Sequence, residues 1–128
     1  MGADEQLEAF RAAGRALFSL GLVKGSEGNL STFDGSNLVI TRTGSELAAL
    51  AAGDLVVGPL DGSLVDASSD LEVHRRAYAE RGAGAFAHAH PAGTVPEGGG
   101  GPGAHGVYVF APTLDEAVAG CVRRARER

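Results

Sequence analysis

The sequence predicts an α/β fold: three layers, α/β/α, around a central mixed, largely antiparallel sheet. Three observations carry that expectation. Stretches with helical spacing at 4–20, 69–81 and 113–126 alternate with short strand-like runs. Two Asp-Gly pairs, Asp34-Gly35 and Asp61-Gly62, stand between apolar runs and read as hairpin turns. The resulting order of helix, hairpins, helix, strand, strand, helix is that of one sheet flanked by helices. A length of 128 residues suits a single domain, 1–128.

Taken in order, Leu7, Phe10, Gly14, Leu17 and Phe18 recur at helical spacing, and Gly21 offers the stop. Gly25 to Leu30 is a glycine-punctuated loop. Ser31–Phe33 and Leu38–Thr41 form the first hairpin. A polar loop over 41–46 leads into a helical turn near Glu46–Ala51. Leu55–Leu60 and Leu64–Val65 form the second hairpin, with Pro59 marking an edge strand because it cannot donate to a ladder. Ser69 and Glu72 have the spacing of a capping box, opening a helix that stops at Gly82. Ala85–His90 reads as a strand lined with alanine. The Gly/Pro-rich stretch 91–104 cannot be a regular element and reads as a linker. Val107–Phe110 is a short strand. Thr113 and Glu116 form another capping box, ahead of the apolar stripe Leu114, Ala117, Val118, Cys121, Val122, Ala125.

Composition excludes several classes of function. The formal net charge of −5 disfavours nucleic acid and anionic membrane as partners, since both reward basic patches. One cysteine, Cys121, permits no intrachain disulfide and no Cys-rich zinc module. No apolar run approaches the ~18 residues of a membrane span, and no secretory leader is recognisable, so a reducing cytoplasm is expected. Lys24 is the only lysine, so any Schiff-base chemistry would rest on it alone.

The histidines are concentrated. His88 and His90 are two apart on a strand, hence on one face and about 6.6 Å apart along the chain. His105 precedes the strand 107–110. Three imidazoles with an open fourth position make a catalytic zinc arrangement; two histidines at a strand's wet end is the plainer alternative. Asp70, near the start of the helix, reads either as a fourth ligand or general base, or as a carboxylate complementing the helix dipole. His74 lies one turn further along the same face. Ser68 and Ser69 are caps, or hydroxyls at a phosphate-binding helix end. Gly28-Asn29 and Thr43-Gly44 are two more loop corners, each a plain turn or part of an anion site. The Gly98–Gly103 run lacks the context of a nucleotide-binding loop.

GLVKGSEGNLS (21–31), LVITRTGSEL (38–47), DLVVGPLDG (54–62), SSDLEVHRRAY (68–78), AFAHAHP (85–91) and AHGVYVFAPTLDEAV (104–118) together resemble the class II aldolase/adducin family, which includes L-fuculose-phosphate aldolases and L-ribulose-5-phosphate 4-epimerases. The stretches follow the family's order over nearly the whole chain. The resemblance implies a sugar-phosphate site at Gly28, Asn29, Thr43, Gly44, Ser68 and Ser69. It implies Zn2+ held by His88, His90 and His105, with Asp70 as catalytic acid/base and resting ligand. The implied chemistry is retro-aldol cleavage, or epimerisation, of a small phosphorylated sugar, in a family often tetrameric. One departure stands out. Only fourteen residues separate His90 from His105, where family members carry a longer segment. A non-catalytic binding or assembly module, by analogy with adducin, is the alternative.

Overall fold

The structure, a computed structural model, describes residues 3–91 and 106–126. Apart from Pro91, the expected linker 91–104 lies outside the described residues, as does His105. Helix α1 (Ala3–Ser19) is followed by strands β1 (Asn29–Phe33) and β2 (Asn37–Thr41). Two short helical turns, Leu47–Ala49 and Ala52–Asp54, lead to β3 (Leu55–Pro59). Helix α2 (Leu71–Arg81), strands β4 (Gly84–Ala89) and β5 (Val107–Ala111), and helix α3 (Leu114–Arg126) complete the order.

The strands form one sheet in the order β3-β2-β1-β4-β5. Every pairing is antiparallel, so the largely antiparallel sheet is wholly so among the described strands. Register places Ser31 opposite both Ile40 and Phe86, and His88 opposite both Asn29 and Tyr108. Because side chains alternate, Asn29, Ser31, Phe86, His88 and Tyr108 share one face. Leu30, Ala85, Ala87, Ala89, Val107 and Val109 occupy the other, where they meet Phe10, Ala13 and Leu17 of α1 and Leu114, Ala117, Val118 and Cys121 of α3. Against the first face lies α2, its Tyr78 packed with Leu38, Ile40 and Phe86. Helices on both sides of a sheet make three layers.

Local chemistry explains most boundaries. Helix α1 ends as expected: Leu22 N–H donates to Leu17 O and Gly21 N–H to Phe18 O, with Gly21 at φ 74°. That pair of bonds satisfies carbonyls the helix end leaves over. The first hairpin turns at Asp34, whose Oδ1 accepts the N–H groups of Ser36 and Asn37 at 2.8 and 2.7 Å. Thr113 Oγ1 accepts Glu116 N–H at 3.2 Å and so caps α3.

Several expectations are corrected. Phe18 is 51% exposed; Ala13, with Phe10 and Leu17, fills the buried stripe instead. Strand β1 starts two residues earlier than expected, which moves Asn29 from loop to strand. No second strand forms at Leu64–Val65. The chain turns at Asp66, at φ 67°, and Ala67 bridges Arg42. The turn is closed by Ala67 N–H to Leu64 O, so Leu64 and Val65 are bent rather than extended. The helix also caps one residue later than the Ser69–Glu72 spacing predicts. Asp70 is the cap residue, and Ser68 Oγ accepts its N–H at 3.1 Å.

Candidate functional site

Polar residues converge where β1 and α2 begin and β4 ends. Three backbone ties bring the loops together. His90 N–H donates to Leu22 O at 2.7 Å, which pulls the loop before β1 over the end of β4. Ser68 N–H donates to Thr41 O, and Thr43 N–H to Asp66 O, which set the two polar loops side by side. Gly28 cannot carry a side chain here. Its φ is 80°, and a Cβ would lie 2.8 Å from both His88 O and Val23 Cγ1. Backbone lies on backbone at that point.

The result is an open cavity of about 400 Å³ lined by Ser26, Glu27, Gly28, Asn29, Arg42, Thr43, Gly44, Ser68, Ser69, Asp70, His88, His90 and Tyr108. Of the residues singled out in the sequence, Gly28, Asn29, Thr43, Gly44, Ser68, Ser69, Asp70, His88 and His90 are thus brought together. His105 lies outside the described residues. Arg42 adds a cationic side chain to the lining, held by Asp66 Oδ2 at 3.2 Å. The start of α2 adds its positive dipole end.

Asp70 is the pivot. An Asp at a helix cap ordinarily accepts an N–H two or three residues on. Asp70 makes no such bond. Its Oδ2 instead accepts from Asn29 Nδ2 at 2.8 Å and lies 3.7 Å from His88 Nε2. The His88 Nδ1–H donates to Val107 O at 3.0 Å, which directs the ring's Nε2 toward Asp70. Tyr108 stacks on His88 with centroids 4.0 Å apart and planes 11° apart, and His90 meets the same ring edge-on at 4.5 Å.

Behind the cavity wall is a buried polar cluster. His74 Nε2 meets Asn29 Oδ1 at 2.5 Å, and His74 Nδ1 meets Ser31 Oγ at 2.5 Å. Ser31 Oγ meets Tyr78 Oη at 2.7 Å. Desolvation, then the nearby His88, pushes the His74 imidazole down to about 3, so it is neutral at physiological pH. Burial also pushes the Tyr78 phenol up, opposed by its bond with Ser31. Sequence reasoning missed Ser31, Tyr78, Arg42 and Tyr108. A signal existed for two of them. Asp70, His74 and Tyr78 recur every four residues on α2, and Asn29 and Ser31 are two apart on β1.

The donor chemistry suits a metal as far as the described residues go. The Nδ1–H bond to a backbone carbonyl fixes the tautomer of His88 and leaves Nε2 as its coordinating nitrogen, as in most metal-ligating histidines. His90 and the Asp70 carboxylate are its neighbours. Among the described residues, no group of three or more His, Cys, Asp or Glu forms a metal site.

Residues 8–96, most of the chain, match the class II aldolase and adducin N-terminal domain family. The chain belongs to this family. An L-fuculose phosphate aldolase of Methanococcus maripaludis is 33% identical over 79 residues, covering 59% of this chain and 44% of that protein. The chain spans less than half the length of the curated relatives it matches. The L-fuculose-1-phosphate aldolase structure from Thermus thermophilus superposes with a TM-score of 0.65 at 37% identity, over 70% of this chain and 48% of that one. YgbL of Klebsiella pneumoniae shares the fold at 21% identity, with a TM-score of 0.77 over 99% of this chain and 87% of its own. Class II aldolases are typically metal-dependent. Among the described residues, no helix is long and apolar enough to cross a membrane.

Proposed function

We propose that the chain is a zinc-dependent aldehyde-lyase-type enzyme that cleaves, or epimerises, a small sugar phosphate of the L-fuculose-1-phosphate kind. The observation that carries this reading is the Asp70 carboxylate: it forgoes its own helix end and points, through Asn29, into the cavity beside His88.

The substrate's phosphate would lie among Gly28, Asn29, Thr43, Gly44, Ser68 and Ser69, where small side chains leave backbone accessible beside hydroxyls and an amide. Arg42 and the start of α2 favour a dianion there. His88, His90 and His105 would hold the zinc, with Asp70 as resting ligand. Bound there, zinc supplies Lewis-acid polarisation of a carbonyl. In the cleavage the β-hydroxyl would give up its proton to a base and become the carbonyl of the departing aldehyde. The electron pair of the broken C–C bond would move toward the remaining carbonyl oxygen, and the carbon left behind would take up a proton. Asp70 is the group placed to carry that proton. Tyr108 and His90 cover His88 and keep its ring in one orientation. The reading includes a cytoplasmic location. It also includes a homo-oligomer, checked by light scattering.

The deciding experiment pairs metal analysis of untagged protein with a sugar-phosphate panel. Wild type should bind zinc, lose it in His88→Ala, and release dihydroxyacetone phosphate from L-fuculose-1-phosphate or a close relative. Asp70→Asn should lower turnover by about 10²–10⁴-fold, the usual contribution of a general acid/base. Zinc-loaded protein inert on the whole panel would sink the reading. Inert protein that still binds inorganic phosphate would favour a binding module.

A further inference from the structure

We infer that His74 is a positioning residue: through Asn29 it holds the Asp70 carboxylate off the end of its own helix and turned toward His88. The inference rests on the proposed function only in taking Asp70 as the working carboxylate.

Hydrogen-bond accounting leaves one arrangement at each step. An ionised carboxylate only accepts, so Asn29 presents Nδ2 to Asp70. The Asn29 oxygen, Oδ1, then faces His74 Nε2, and an amide oxygen only accepts, so Nε2 carries the hydrogen. A neutral imidazole has one N–H, so Nδ1 is an acceptor and the Ser31 hydroxyl donates to it. Ser31 has no second proton, so Tyr78 donates its O–H to Ser31. Four bonds run in one direction, from the Tyr78 phenol in the core to the Asp70 carboxylate at the cavity. The depressed basicity of His74 keeps its ring neutral, as the chain requires.

The geometry explains why the bridging residue is histidine. Asn29 and Ser31 are two apart on one strand face, about 6.6 Å along the chain. The two nitrogens of one imidazole, on opposite sides of a rigid ring, reach both. Ser31 and His74 are fully buried and Tyr78 nearly so, so water cannot replace a broken link among them without opening the core; only the last link, Asn29 to Asp70, borders the cavity. The carboxylate has a local alternative, its own helix end. The chain decides between the two.

The test uses metal-free protein with 15N-labelled histidine, then zinc titration. Long-range proton–nitrogen spectra of wild type should show His74 as the Nε2–H tautomer. In His74→Leu the Asp70 carboxylate should swing back to cap α2, moving the Glu72 or Val73 amide proton downfield. Zinc affinity should fall about 10–100-fold, as when other partners behind a metal site are removed. His74→Gln, which keeps a donor for Asn29, should restore most of it. Val118→Ala, in the opposite core layer, destabilises without touching the chain and should leave affinity unchanged. Should His74→Leu fail to fold, Ser31→Ala frees the tautomer and is expected to show the same amide shifts and a smaller affinity loss. An Nδ1–H tautomer overturns the inference. So does an unmoved pair of amides, or a zinc loss in Val118→Ala equal to that in the His74 variant. If wild type binds no zinc, the proposed function fails, while the tautomer and the amide shifts still decide this inference.

Discussion

Strands β1 and β4 present two different surfaces. Toward α1 and α3 they offer Leu30, Ala85, Ala87 and Ala89, a dry layer closed by Phe10, Leu17 and Cys121. Toward α2 they offer Asn29, Ser31 and His88 among aromatic rings. Alternation along a strand lets the two faces differ completely within the same five residues. The helices differ accordingly. In α3 the buried residues Leu114, Ala117, Val118 and Cys121 form an apolar stripe; in α2 the buried residues are His74 and Tyr78. The dry face holds the fold mainly by burial; its one side-chain bond among the described residues of β1 is at the margin, where Thr32 Oγ1–H donates to Gln6 Oε1 of α1. The other face tolerates polar groups because each has a partner, Asn29 and Ser31 from α2 and His88 from the Val107 carbonyl of β5, and that polarity is what a site can use.

The comparison is broken first by truncating one side chain on each face. Phe10→Ala should cost about 3–5 kcal/mol, from lost burial and the cavity left behind. Ser31→Ala should cost about 1–3 kcal/mol, the penalty for leaving His74 Nδ1 without its donor. Urea unfolding of both variants checks the order; a reversal would mean the polar face holds the fold. Next in size is Gly14→Ala. In an exposed helix this change gains about 1 kcal/mol of propensity. Here a Cβ at Gly14 would lie 2.0 Å from the backbone oxygen of Leu47. Backbone cannot step aside as a side chain can, so the clash wins and the variant should lose about 1–3 kcal/mol. A higher melting temperature would show that the Leu47–Ala49 turn is free to shift away from α1.

Much of this was legible in the sequence, and what was not had a common cause. Periodicity located the three α-helices of the described residues and the paired strands. Turn chemistry located Gly21 and Asp34-Gly35. Most of the cavity residues, though not Arg42 or Tyr108, were legible because loop corners and an HxH pair leave local signatures. Misread features depended on partners far along the chain. Ser31 meets His74 and Tyr78 across 43 and 47 residues; local spacing groups the residues within each element but does not encode the meeting of the two elements. Asp61-Gly62 has the composition of a hairpin, but Ala67 finds its bridge at Arg42 instead. The Ser69–Glu72 spacing has the right letters, but the cap falls at Asp70, whose side chain is claimed by Asn29. Local rules failed where tertiary contacts had a use for the residue.

Titration sharpens the contrast in opposite directions. His74 is held near 3, below its ordinary 6.5. Between those values the unfolded chain binds a proton that the folded chain refuses. Its contribution is therefore complete above pH 6.5 and falls as pH drops toward 3, by at most about 1.4 kcal/mol per pH unit. His74→Gln should flatten that part of the stability profile measured by urea unfolding from pH 7 to 5. An unchanged slope would assign acid sensitivity to carboxylates instead.

The smallest effect belongs to the dry face. Burial pushes the Cys121 thiol up to about 11, against an ordinary 9, with Arg124 opposing the shift. The folded state therefore keeps a proton that the unfolded chain gives up. Its contribution is full below pH 9 and fades as pH rises toward 11, the reverse of His74. Replacing Cys121 by Ala should remove this alkaline slope and leave the acid one untouched. A disulfide reagent supplies an independent check, because the thiolate is the reactive form and the sulfur is buried. Labelling of native protein at pH 8 should proceed no faster than the protein opens. Rapid labelling without loss of structure would mean that α3 breathes away from β5, and that the dry face is the looser of the two.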